Sequence, residues 1–168
     1  MDPGLRRLNG LPREEAEAEL RTCCASRRWA AQVAAKRPFA DRAALWAASA
    51  AAMDGLDWGD VEEALRAHPR IGERAGGASR EAAWSRGEQA GMADAGDDLK
   101  AALAEGNREY ERRFGHVFLI RATGRGAAEM LAALRTRLAN APEAERAVVR
   151  DELAKITELR LAKLLGGG

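Results

Sequence analysis

The chain carries two histidines, and one of them stands in the run His68-Pro69-Arg70-Ile71-Gly72. Proline biases the residue before it away from helical backbone, so His68 is expected where a helix ends and the chain turns. Proline and glycine on either side fix the local backbone, which suits an imidazole held in one orientation for acid–base work. A histidine at a helix C-terminus also interacts well with the helix dipole, so a plain capping role fits the same position. His116 follows Phe114-Gly115 and is expected in an exposed turn. Two histidines this far apart, with no ligand-like spacing around either, argue against a metal site.

Ser85, Glu88 and Gln89 stand at i, i+3 and i+4 of an expected helix, so a hydroxyl, a carboxylate and an amide share one face. That face can hold one small polar molecule, or it can be an ordinary solvated surface. Gly87 between them lowers helix propensity by about 1 kcal/mol, which fits either close approach of a neighbour or ligand, or simple tolerance. Arg160 lies four residues after Ile156 and four before Leu164, on an apolar stripe that also holds Leu153. A guanidinium on such a stripe keeps its proton and needs an anion. That anion is either a protein carboxylate such as Glu88 or a ligand carboxylate gripped by two parallel bonds; alternatively the side chain snorkels to the edge.

Cys23 and Cys24 are adjacent, which disfavours an unstrained disulfide, and no general base is near them in the sequence. They read as small apolar helix residues. Gly72, Gly76 and Gly77 lack the Lys-Ser/Thr ending of a phosphate loop. The aromatic residues are too sparse for base stacking.

The elements that must position these groups read almost entirely as helix. A first long segment is expected from Pro12 through Leu20, Cys24 and Val33 to just before Pro38, with Glu14, Glu15 and Glu17 complementing its N-terminus. Asp41 is a plausible cap for a second segment over Leu45 to Met53, and a short third runs from about Asp57 to Ala67. Beyond a glycine-rich bend from Ile71 to Gly77, Ser79 caps a helix through Trp84 and Met92. Another helix is expected from Asp97 to Arg113, closed by Phe114-Gly115. Val117 to Ile120 is apolar and partly β-branched, an extended segment near 117–122 that cannot build a sheet alone. The next helix puts Met130, Leu131, Leu134 and Leu138 on one side, and a last one spans about Glu143 to Leu165. The fold class is all-α, a single compact domain over residues 1–168.

Length and charge bound the function. At 168 residues the chain can bury a sizeable core without disulfides or metal. Lys plus Arg total 27 against 26 Asp plus Glu, which argues against nucleic acid held on a broad basic face. No stretch approaches about 18 uninterrupted apolar residues, so no membrane span is expected. Nothing at the N-terminus resembles a secretory leader, and Gly166-Gly167-Gly168 matches no peroxisomal address; a reduced, cytoplasmic protein is expected.

Taken together, five blocks resemble the OHCU decarboxylase family, where OHCU is 2-oxo-4-hydroxy-4-carboxy-5-ureidoimidazoline. They are Cys24-Ala25-Ser26-Arg27-Arg28-Trp29 with Arg37-Pro38-Phe39; His68 to Gly72; Ser85-Arg86-Gly87-Glu88-Gln89; Asn107 to Gly115; and Glu152 to Arg160-Leu161. The resemblance implies an all-helical, homodimeric enzyme, without cofactor or metal, that converts OHCU to (S)-allantoin in urate degradation. It assigns His68 as catalytic histidine with Glu88 as its neighbouring acid, and Arg160 as a substrate-binding arginine. Pro69, Ser85, Arg86, Gly87 and Gln89 fall with the pocket residues. The backbone of Phe118, Leu119, Ile120, Arg121 and Ala122 matches the segment that holds the ligand. The transthyretin-like hydrolase domain fused to some relatives is not expected here. The rival reading is a non-catalytic helical module that binds a small ureide or a protein partner through the same residues.

Overall fold

The computed structural model describes residues 2–73, 79–93 and 95–166. Among the described residues all regular structure is helical and no strand occurs. Most of the glycine-rich bend after Gly72 and the last two glycines lie outside the described residues. The chain divides into two compact units: residues up to Ala64 with those from Ala154 onward, and Leu65–Leu153.

The first unit opens with α1 (Pro3–Gly10), unforeseen in the sequence because it is short and holds a proline and two glycines. Asp2 caps it by accepting from the Leu5 N–H at 3.1 Å, and Leu5 and Leu8 are fully buried. The expected long helix from Pro12 is instead two helices, α2 (Arg13–Arg21) and α3 (Arg27–Ala34). Apolar spacing runs unbroken across the gap. Ser26, however, accepts from the Trp29 N–H at 3.2 Å and starts a new helix. Cys23 and Cys24 therefore lie in the connection, buried but not helical. Asp41 caps α4 (Arg42–Asp54) as expected, accepting from the Ala44 N–H at 2.8 Å, and α5 (Trp58–Leu65) follows. Trp29 is fully buried and donates its indole N–H to the Ser49 carbonyl at 3.2 Å, fixing α3 against α4.

The second unit holds α6 (Arg80–Glu88), a 3-10 turn at Ala90–Met92, α7 (Asp97–Phe114) and α8 (Ala127–Leu138). Helix α9 (Pro142–Leu164) gives residues to both units. Ser79 caps α6 as expected, accepting from the Ala82 N–H at 3.1 Å. Gly115 ends α7 in the left-handed conformation at φ 79°, the usual glycine stop. Where Gly106 faces Leu134, a side chain on Gly106 would press within 2.9 Å of the leucine, so α7 and α8 meet over a glycine. The core of this unit gathers Ile71, Met92, Leu103, Tyr110, Phe118, Ile120, Met130 and Leu134.

Candidate active site

Three predicted segments meet in the second unit through that core. Ile71 follows His68-Pro69, Met92 follows Gln89, and Phe118, Ile120 and Ala122 come from the apolar run; all five are buried in one cluster. His68 is half-buried at a bend after α5, its N–H donating to the Leu65 carbonyl at 3.0 Å. Pro69 beside it is half-buried too. The chain then reverses, the Glu73 N–H donating to the Arg70 carbonyl at 3.0 Å with Gly72 at φ 95°. That φ lies in the left-handed region where only glycine sits without strain.

On α6, Ser85 is buried at 6% exposure, Arg86 and Glu88 are half-buried, and Gly87 is exposed. A methyl at Gly87 would meet no described atom within 4 Å, so no close-packed neighbour accounts for this glycine. Gln89 departs from expectation. The helix ends at Glu88, and Gln89 is its cap at φ −93°, ψ 19°. The Gln89 amide turns to the chain after His68: Oε1 accepts from the Gly72 N–H at 3.0 Å, and Nε2 lies 3.5 Å from the Arg70 carbonyl. A cavity of about 370 Å³ opens beside it, lined by Gly72, Arg86, Gln89, Met92 and Lys100 among others. His68 and Glu88 are not among its described lining residues.

Residues 117–122 run without helix, turn or bend, as expected of an extended segment. Phe118, Leu119, Ile120 and Ala122 are buried. Two buried groups, rather than a neighbouring strand, hold this backbone. Arg137 donates to the Leu119 carbonyl at 2.7 Å, and Glu152 accepts from the Arg121 N–H at 3.1 Å. Alternate residues of an extended chain present their N–H and C=O to the same edge. The edge of Leu119 and Arg121 is thus taken by the protein, whereas the N–H and C=O of Ile120, on the other edge, bond to no described residue.

Arg137 is itself held in a buried network. Its Nε and Nη2 donate to Glu145 Oε2 at 2.9 and 2.5 Å, and Tyr110 donates to the same oxygen at 2.5 Å. Asn140 donates to the other Glu145 oxygen at 3.0 Å. The guanidinium also lies 4.5 Å from the Phe118 ring centroid. Burial and the adjacent Glu145 carboxylate push the Tyr110 hydroxyl well above the usual phenol range, so it stays a donor. His116, expected in the open, is half-buried with its ring 5.5 Å from Tyr110 and its Nδ1 3.0 Å from the Val117 carbonyl. The aromatic pairing within Phe114-Gly115-His116 explains the difference.

Arg160 belongs to the first unit, where it is 4% exposed between Ile156 and Leu164 of its stripe, both buried. The edge-snorkelling alternative is excluded by that burial. Desolvation drives the Cys24 thiol, in the same unit, up to about 11, against which the nearby Arg160 charge is a smaller opposing influence. A thiol so protonated is a poor nucleophile at neutral pH. Among the described residues no group of three or more His, Cys, Asp or Glu side chains converges as a metal site would require. No described helix is long and apolar enough to cross a membrane.

Sequence reasoning named Asn107 and Glu152 only as first residues of matching blocks, with no role, and overlooked Glu145 and Arg137. For Arg137 a signal existed, since it lies three residues after Leu134 on the apolar side of α8, as Arg160 lies on that of α9.

The family model for OHCU decarboxylase matches residues 9–162. A 2-oxo-4-hydroxy-4-carboxy-5-ureidoimidazoline decarboxylase from Amia calva is 37% identical over 140 residues, 81% of this chain and 79% of that protein. The uric acid degradation bifunctional protein TTL of Arabidopsis thaliana is 37% identical over 154 residues. The match covers 90% of this chain, which spans about half (48%) of that longer protein. A crystal structure of an OHCU decarboxylase in the presence of (S)-allantoin matches at TM-score 0.76 and 35% identity, over 88% of this chain and 97% of that one. The family model matches this chain nearly end to end, and these relatives are more than a third identical to it over the residues they align with: the protein belongs to the OHCU decarboxylase family.

Proposed function

We propose that the protein decarboxylates OHCU to (S)-allantoin, the step that completes urate conversion to allantoin. The observation that carries this reading is the bond of Gln89 to the turn after His68, with Ile71 of that turn packed in one core with Phe118, Ile120 and Ala122 of the pinned segment, in a chain of this family.

The substrate's own chemistry keeps the demands on the protein small. The bond to the carboxylate breaks and carbon dioxide leaves. The electron pair forms a double bond to the ureido-bearing carbon, while the C=N pair moves onto the ring nitrogen, which takes up a proton. The hydroxyl then yields its proton as the carbonyl forms, and a proton adds to one face of the ureido-bearing carbon. Because the adjacent C=N bond accepts the electrons, no pyridoxal or thiamine sink is called for.

In this reading His68 takes the hydroxyl proton, and Glu88 orients or polarises it. Ser85, Arg86 and Gly87 with Pro69 shape the pocket, and Gln89 contributes by fixing the 70–72 turn as well as through any ligand bond. The N–H and C=O of Ile120 match the alternating donors and acceptors of a ureide, with Phe118, Leu119, Arg121 and Ala122 as the rest of that wall. Arg160 binds the substrate's anionic end through a guanidinium that keeps its charge when buried. A cytoplasmic homodimer that acts on OHCU completes the reading.

Exchange of His68 for Asn or Ala is expected to abolish stereoselective turnover while leaving the helical circular dichroism spectrum unchanged. The wild-type rate should follow an ionisation in the imidazole range, roughly pH 6–7. A fully active His68→Asn variant would remove the histidine from the mechanism.

A further inference from the structure

We infer that Asn107 is a positioning residue for the catalytic turn; the inference rests on the role given to His68 above. Three side chains hold the residues that follow His68-Pro69. Glu111 accepts two bonds from the Arg70 guanidinium at 2.7 and 3.0 Å, Gln89 accepts from the Gly72 N–H at 3.0 Å, and Asn107 donates to the Ile71 carbonyl at 2.8 Å. Asn107 and Glu111 are four residues apart on α7, so one helix face holds both Arg70 and Ile71, the first two residues of the turn.

The three ties differ in how much water competes with them. The Arg70–Glu111 pair is open to solvent, with side chains 49% and 26% exposed, and surface pairs of this kind constrain little. Gln89 is half-buried, whereas Asn107 is 2% exposed. The Asn107–Ile71 bond is therefore the one that water does not replace, and Ile71 is anchored in the core beside it.

A purely structural role explains this asparagine poorly. Its Oδ1 is buried and bonds to no described residue, so the side chain makes one bond and leaves one acceptor unmet. Making a bond and burying an unpaired oxygen oppose each other in folding stability. What the amide does achieve is to set the Ile71 carbonyl, and with it the direction in which the preceding Pro69 and His68 leave the turn.

The test is steady-state kinetics of Asn107→Leu, of similar volume but without a donor, on OHCU generated in situ. Misplacing a reacting group by about 1 Å costs on the order of 100-fold in rate. The expected result is kcat lowered by roughly 10- to 100-fold with KM within about threefold, a displaced or flattened pH profile, and a thermal midpoint close to wild type. Asn107→Ser, with a shorter donor, should fall between the two. Unchanged kcat in folded Asn107→Leu overturns the inference. So does a loss of activity in both variants that merely follows the fraction unfolded. If Asn107→Leu is fully active while His68→Asn is dead, the positioning claim alone fails; an active His68→Asn variant removes the role given to His68, and the inference with it, and a wild-type protein without OHCU turnover fails the function itself.

Discussion

Single residues of this protein are informative where their chemistry conflicts with their surroundings. Arg160 was legible from the sequence because a guanidinium interrupts a stripe of Leu153, Ile156 and Leu164, and it is indeed buried there. Arg137 meets the same criterion and carries more of the architecture, yet its partner Glu145 is eight residues on, across a helix break, where spacing rules for one helix do not reach. Gln89 was placed on the right segment but given too regular a backbone, since its amide serves the Gly72 N–H rather than continuing the α6 face. Gly87 invites a direct test. A methyl there meets no described atom, and alanine is the better helix former by up to about 1 kcal/mol. Gly87→Ala should therefore hold or slightly raise the thermal midpoint. If the glycine keeps room for substrate, KM should rise several-fold in the same variant, and an unchanged KM would reduce Gly87 to a tolerated helix residue.

Among the elements, the caps were readable and the breaks were not. Asp41, Ser79 and Gly115 each stand where a helix starts or stops, because their side-chain oxygens or backbone freedom do local work that spacing reveals. Ser26 does the same work inside a run whose apolar period never falters, so two helices read as one. The 117–122 segment was recognisable as non-helical, but what holds it was hidden, because its two anchors come from α8 and α9 rather than from a pairing strand. That dependence makes a prediction. Glu145→Gln leaves the buried Arg137 guanidinium without its counter-charge and should cost about 3–5 kcal/mol in denaturant unfolding. Adding Arg137→Met removes the stranded charge and should restore much of that stability. Turnover should stay low in the double variant, because the Leu119 carbonyl has lost its donor. Recovery of both stability and activity would show that the segment needs no such anchor.

At the scale of the whole chain, near-equal numbers of acidic and basic residues turned attention from polyanion binding towards a small ligand. Charges sit in pairs such as Arg7–Glu19, Arg42–Asp2 and Arg70–Glu111, each within one unit. The family match from residue 9 to 162 runs through both units, so the resemblance read from five separated blocks extends to the spaces between them. The chemistry assigned to the chain is tested most directly by circular dichroism of a coupled reaction. Urate is converted by urate oxidase and hydroxyisourate hydrolase, and the protein is added as OHCU accumulates. The account predicts rapid loss of the OHCU signal with growth of (S)-allantoin ellipticity, and neither effect with His68→Asn. Decay at the rate of the enzyme-free control, ending in racemic allantoin, would contradict it.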